Sequence, residues 1–219
     1  MEISNDLKAY HQLMDTFIAH WTAVNAALGG NPLVLPEGGP TLALFQAHKT
    51  ALTSLYQAVE SGDNQAQTGA ADRDGLRDDL LTRLSQFRTT VTGLLPGSRY
   101  AQALPKTPPK TASQGVIVKA LQDGLSVWEQ IEADASVTLS KPLVLADSTT
   151  RASLTTGFAS LQSAYSAIAA GKAAAAQARA ERNVLLKALD KHMKQYPKTV
   201  KALLPKGHAL LANLPSVSR

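Results

Sequence analysis

The chain says nearly the same thing twice, and that limits its possible folds more than any other feature. Residues 71–96 read ADRDGLRDDLLTRLSQFRTTVTGLLP and residues 180–205 read AERNVLLKALDKHMKQYPKTVKALLP, with ten identities in 26 positions at an offset of 109. Landmarks outside this window recur in the same order. Trp21 returns as Trp128, the PLVL of Pro32 to Leu35 as that of Pro142 to Leu145, Gly62 as Gly171, and Leu104-Pro105 as Leu214-Pro215, at offsets between 107 and 110. Phe45, Leu52, Tyr56 and Val59 map onto Leu154, Leu161, Tyr165 and Ile168. Such self-similarity is read as an internal duplication. The expected organisation is a helical repeat over 1–105, a Pro-rich linker over 106–113, and a second helical repeat over 114–219.

Each copy reads as helical. Leu7, Tyr10, Met14, Phe17, Trp21, Val24 and Leu28 advance by alternating threes and fours, which lines one face of a helix. Ser4 is a candidate N-cap, Asp6 is favourable in the first turn, and Gly29-Gly30 supplies a stop. Val118, Leu121, Leu125, Trp128 and Ile131 repeat the stripe in the second copy. The PLVL segments are expected to lie extended, against the bundle or paired as a short ladder with the other copy. A second helix is expected from near Thr41 and near Ser148. A third carries Leu76, Leu80, Leu84, Phe87, Val91 and Leu94, matched by Leu185, Leu189, Met193, Tyr196, Val200 and Leu203.

The SGDNQ of Ser61 to Gln65 supplies a glycine stop and an aspartate cap, so a turn is expected between the second and third helices. In the second copy only Gly171 interrupts, and Pro197 should break or kink the last helix. The expected fold is all-α, a tandem duplication of a three-helix unit of about 105 residues forming a helical bundle. Such a unit, with a tryptophan in its first helix, resembles a spectrin-type repeat. The resemblance implies an architecture and no function, since Pro96, Pro105, Pro108 and Pro109 break the continuity between units that spectrin-type repeats have.

Catalysis needs an activated nucleophile, an acid/base pair or a metal, each built from convergent polar residues. The sequence offers no such set, so neither catalytic nor metal-binding residues are expected, nor a cofactor or small-molecule substrate. There is no cysteine. His11 and Asp15 stand one helical turn apart and read as a solvated pair, and His48 reads as a boundary histidine with a backbone partner. Asp72, Asp74, Asp78 and Asp79 lack the spacing of a calcium loop and read as favourable charge near a helix N-terminus. Neither an apolar leader nor an apolar run of spanning length is legible, so the expected location is cytoplasmic.

Charge is where the copies part. Residues 1–110 carry nine Lys/Arg against ten Asp/Glu, and residues 111–219 carry thirteen against seven. Lys187, Lys191, Lys194, Lys198 and Lys201 advance by fours and threes within an arc of about 80 degrees, opposite the apolar stripe. Their counterparts are Asp78, Thr82, Ser85, Thr89 and Thr92. The five lysines are candidate anion-binding residues, and Ala173, Ala174, Ala175 and Ala176 a candidate close-packing interface. The resulting expectation is a non-enzymatic structural or interaction protein, with a protein partner or a second copy of itself. The alternative is nucleic-acid or anionic-polymer binding through the basic helix.

Overall fold

A computed structural model describes residues 7–217, so the capping roles read for Ser4 and Asp6 lie outside the described residues. The chain forms α1 (Leu7–Ala27), α2 (Leu42–Leu94), α3 (Arg99–Ala103), α4 (Gln114–Ala133), α5 (Arg151–Leu203) and α6 (Ala209–Ala212). The described residues contain no strand. Both α2 and α5 are 53 residues long, and they begin 109 residues apart, the offset of the repeat.

The expected turn between second and third helices does not form. Ser61 to Gln65 lies inside α2, and Gly171 lies inside α5. A glycine in a helix interior costs about 1 kcal/mol, which packing can offset. Gly62, Gly69 and Gly171 are buried. A Cβ added to Gly69 would stand 3.1 Å from Ile168 Cγ1 and 3.4 Å from the Ala164 carbonyl oxygen. The missing side chain lets two backbones meet. Asp63 caps nothing and instead pairs with Arg179. The three helices of a spectrin-type repeat are therefore replaced in each half by one helix of 20 or 21 residues, one of 53, and a short one of five or four.

The chain divides into two compact units that do not follow the halves of the sequence. Unit 1 takes in the chain up to Asp63 and from Lys172 onward, and unit 2 is Asn64–Gly171. Each long helix thus serves both units. In unit 1, α1 buries Tyr10, Met14, Phe17, Trp21 and Val24 against Phe45 and Leu52 of α2 and Leu189, Met193, Tyr196 and Val200 of α5. In unit 2, α4 buries Ile117, Leu121, Trp128 and Ile131 against Leu80, Leu84, Phe87 and Val91 of α2 and Leu154, Phe158 and Leu161 of α5. Within each unit the two long helices run antiparallel.

The tryptophans occupy corresponding places. Trp21 lies 4.9 Å from the Tyr196 ring, and Trp128 stacks on Phe87 at 4.4 Å. Tyr196 and Phe87 are themselves counterparts, so each tryptophan packs on the long helix from the other half of the sequence.

The PLVL segments lie against the bundle and close on themselves rather than on each other. Val34 bridges Thr41, and Val144 bridges Thr150. The alternation of an extended chain buries Leu33, Leu35, Leu143 and Leu145 while Val34 and Val144 face outward. Thr41 and Thr150 then cap the long helices, their hydroxyl oxygens accepting from the amides of Leu44 and Ser153. After α1, Gly29 and Gly30 adopt φ of 61° and 108°, as the stop requires. No helix among the described residues is long and apolar enough to cross a membrane.

Candidate functional site

The lysine stripe lies on one uninterrupted helix. Pro197 sits inside α5, which continues to Leu203. An interior proline costs about 3 kcal/mol, but Met193, Tyr196, Val200 and Leu204 are buried on both sides of it and hold the turn in place. Lys187, Lys191, Lys194, Lys198 and Lys201 are all exposed. They cover about 21 Å of helix at 1.5 Å per residue. Lys191 reaches Glu37 in the loop before α2 at 3.2 Å, and Lys194 pairs with Asp190 one turn earlier. Lys187, Lys198 and Lys201 form no ion pair with a described residue.

The corresponding face of α2, in unit 2, is not bare. Asp78, Thr82, Ser85, Thr89 and Thr92 all line two clefts, of about 640 and 650 Å³, shared with the Pro-rich segment that the sequence presents as a linker. Lys110 of that segment bonds Asp78 at 2.7 Å, and Arg88 donates to the Pro105 carbonyl at 3.3 Å. The bond from Lys110 is the main cause holding the Asp78 carboxyl below its ordinary range. Lys106 and Thr107 lie towards Thr92, and Lys110 lies at Asp78. The segment therefore runs antiparallel to α2 as a strap. Thr107 Oγ1, on the strap itself, is buried without a partner among the described residues.

Behind the lysine face, unit 1 has a polar interior that sequence reasoning missed. The Tyr196 hydroxyl meets His20 Nδ1 at 2.7 Å, and His20 Nε2 meets the Leu210 carbonyl oxygen at 2.9 Å. A carbonyl only accepts, so Nε2 carries a proton, and in the neutral ring Nδ1 then accepts from the Tyr196 hydroxyl. Burial pushes the Tyr196 hydroxyl far above its ordinary range, and does the same to Tyr10 with help from Asp190. The signal for this network was in the repeat: Tyr196 stands where the other copy has Phe87, and His20 where it has Val127.

His48 differs from its expected role. Among the described residues it has no backbone partner; its ring stacks on His192 at 6.2 Å, and Nδ1 of both rings is buried with no described partner. Burial lowers both pKa values below 6.5, and for His192 the neighbouring His48 and Lys191 lower it further. His11 and Asp15 are not a pair with each other: His11 Nε2 meets Thr53 Oγ1 at 3.2 Å, and Asp15 holds Lys49. Among the described residues no three His, Cys, Asp or Glu side chains converge as a metal site would need.

The aspartate expectation is corrected, and the alanines divide between core and surface. The aspartate cluster does not begin a helix but lies in the middle of α2, where Arg73 and Arg77 pair with Asp74, Arg77 also with Asp78, and Arg83 with Asp79. The four alanines are not one packed face either. Ala175 is fully buried, while Ala173, Ala174 and Ala176 are exposed. Comparison with protein-family models, curated proteins and solved structures finds no match for this chain.

Proposed function

We propose that this chain is a tandem-duplicated, non-enzymatic interaction protein that works through helical surfaces, and that its binding surface is the lysine face of α5. The duplication is supported by corresponding caps, bridges and tryptophan ring contacts at offsets of 107 to 110. One observation carries the functional reading. Five exposed lysines stand on one helix at the positions where α2 has no lysine at all. Exposed cations in a row attract an anionic partner by summed field rather than by any single contact, and the attraction weakens as salt screens it.

Fluorescence anisotropy against polyphosphate, a DNA duplex and polyglutamate, at low and high salt, tests the proposal. Salt-sensitive binding to at least one, lost in K187Q/K194Q/K198Q, is the expected outcome. Binding indifferent to that triple substitution overturns it.

A second reading, self-assembly, has its own observation. Val34 and Val144 are 51% and 49% exposed, and Leu94 and Leu203 are 52% and 49% exposed, so the two copies leave the same apolar side chains in solvent. Light scattering that finds an oligomer insensitive to salt favours this reading.

A further inference from the structure

We propose that the cleft of about 650 Å³ between the C-terminal part of α2 and the strap in unit 2 binds a dianionic phosphoryl group, held by Arg88, Lys106 and the Ser85 hydroxyl. All three residues belong to unit 2, so the site stands or falls independently of the lysine face of α5.

Ion pairing in unit 2 singles out this cleft. Arg73, Arg77, Arg83, Arg99 and Arg151 each pair with a carboxylate. Arg88 does not. Its guanidinium is half-buried and donates through Nη1 to the Pro105 carbonyl oxygen at 3.3 Å, and its other N–H groups have no partner among the described residues. Lys106, on the strap, forms no ion pair with a described residue and lines the same cleft. None of the seven residues lining it is acidic. A cation drawn partly out of water without a counter-charge is costly, and an anion joining it relieves that cost.

The two ends of the strap differ in this respect. At one end Asp78 of α2 takes the ammonium of Lys110, so the neighbouring cleft of about 640 Å³ holds a neutral pair of its own. At the other end two cations line the cleft and no carboxylate answers them.

The donors fit a phosphoryl group. A phosphomonoester carries a charge of about −1.5 to −2 near pH 7 and offers three strong acceptor oxygens. Two cations balance that charge, and the planar guanidinium fork matches two of the oxygens. Ser85 lies one helical turn before Arg88, on the same side of α2. The Thr89 and Thr92 hydroxyls are spent on the carbonyls of Ser85 and Arg88, whereas the Ser85 hydroxyl has no partner among the described residues. A carboxylate brings one charge and two oxygens, which leaves one of the cations unanswered.

The test titrates the ¹⁵N-labelled full chain with inorganic phosphate at low ionic strength and follows the Ser85 and Lys106 amides and the Arg88 Nε–H by NMR. Saturable shifts are expected, with a dissociation constant on the order of 1 mM. R88Q and K106Q should each weaken binding about tenfold. Because R88Q also removes the bond to Pro105, S85E provides a second variant: it sits at an exposed helix position, keeps that bond and sets a carboxylate beside Arg88, and it should abolish the shifts. Shifts that never saturate, that acetate at matched ionic strength reproduces, or that survive both K106Q and S85E overturn the proposal. Shifts confined to the lysine face of α5 also overturn it and leave the reading of that face intact. Saturation at Arg88 that persists in K187Q/K194Q/K198Q supports the site whatever becomes of the α5 lysines.

Discussion

Unit 1 and unit 2 place corresponding helices around corresponding tryptophans, yet they differ in what they bury. Unit 2 closes on Phe87 and Trp128, two rings stacked 5° from parallel, with Val127 beside them. Unit 1 puts a tyrosine where the phenylalanine would be and a histidine where the valine would be, joined by a hydrogen bond. A buried hydroxyl without a partner costs about 1–3 kcal/mol, so the two substitutions are tolerable together and costly apart. His48 and His192, too, have no histidine counterparts; Gly157 and Arg83 hold those positions in unit 2. All five histidines of the chain belong to unit 1, and so does the lysine face. Unit 1 carries twelve Lys/Arg against eight Asp/Glu, whereas unit 2 carries ten against nine. The lesson is that nearly equal numbers of charges are placed differently: unit 2 is strapped by its own Pro-rich segment, whereas unit 1 holds all five histidines and the lysine face.

The likeness between units is broken most directly at the tryptophans. Trp21→Ala and Trp128→Ala should each cost about 3–5 kcal/mol in denaturant unfolding, since both rings are almost wholly buried. A loss below about 1 kcal/mol at either position would show that the two rings are not equivalent anchors.

The difference is sharpened by converting one unit toward the other. Tyr196→Phe leaves His20 Nδ1 without its donor and should cost about 1–3 kcal/mol. Adding His20→Val, which copies the Phe87 and Val127 pairing, should cost less than the sum of the single changes. A double-mutant cycle with no coupling would sink the claim that the two residues act as a pair.

Acid should separate the units next. Folding depresses the pKa values of His48 and His192 below 6.5, so the unfolded chain takes up protons first as pH falls. Their contribution is fully present above about pH 6.5 and is lost as pH drops through the lowered folded values. The melting temperature should therefore fall on going from about pH 7.5 to pH 5, and His48→Gln with His192→Gln should flatten that fall. Among the described residues, the carboxylates of Glu37, Asp15 and Asp190 are held by Lys191, Lys49 and Lys194. An equal fall in the double variant would place the acid sensitivity elsewhere.

The smallest effect concerns the strap. Asp78→Asn removes its ion pair with Lys110 and should speed hydrogen exchange at Thr107 and Lys110 while leaving global unfolding nearly unchanged. Unaltered exchange there would mean that the strap is held by packing of Pro108 and Pro109 alone.

Much of this was legible beforehand because it is local. The α1 stripe from Tyr10 to Val24, the glycine stop at Gly29 and the buried PLVL leucines follow from periodicity, φ preference and alternation, each readable within a few residues. The strap was not legible as such. Three prolines announce an extended segment, but nothing in them says which face it will lie along. The His20–Tyr196 bond joins positions 176 residues apart, and only the departure from Val127 and Phe87 hinted at it.

The sequence by itself determined that the chain is helical, that it repeats, and which face of each helix is apolar, because a helical repeat of 3.6 residues is written into every stripe. Tertiary structure decided where the long helices do not end. A glycine or proline inside a helix costs about 1 or 3 kcal/mol, and neighbouring packed side chains settle whether that cost is met. Tertiary structure also decided that Trp21 packs on Tyr196 and Trp128 on Phe87. Both halves carry the same stripe, so pairing within a half and pairing across halves look alike in one dimension, and only the continuous α2 and α5 select between them.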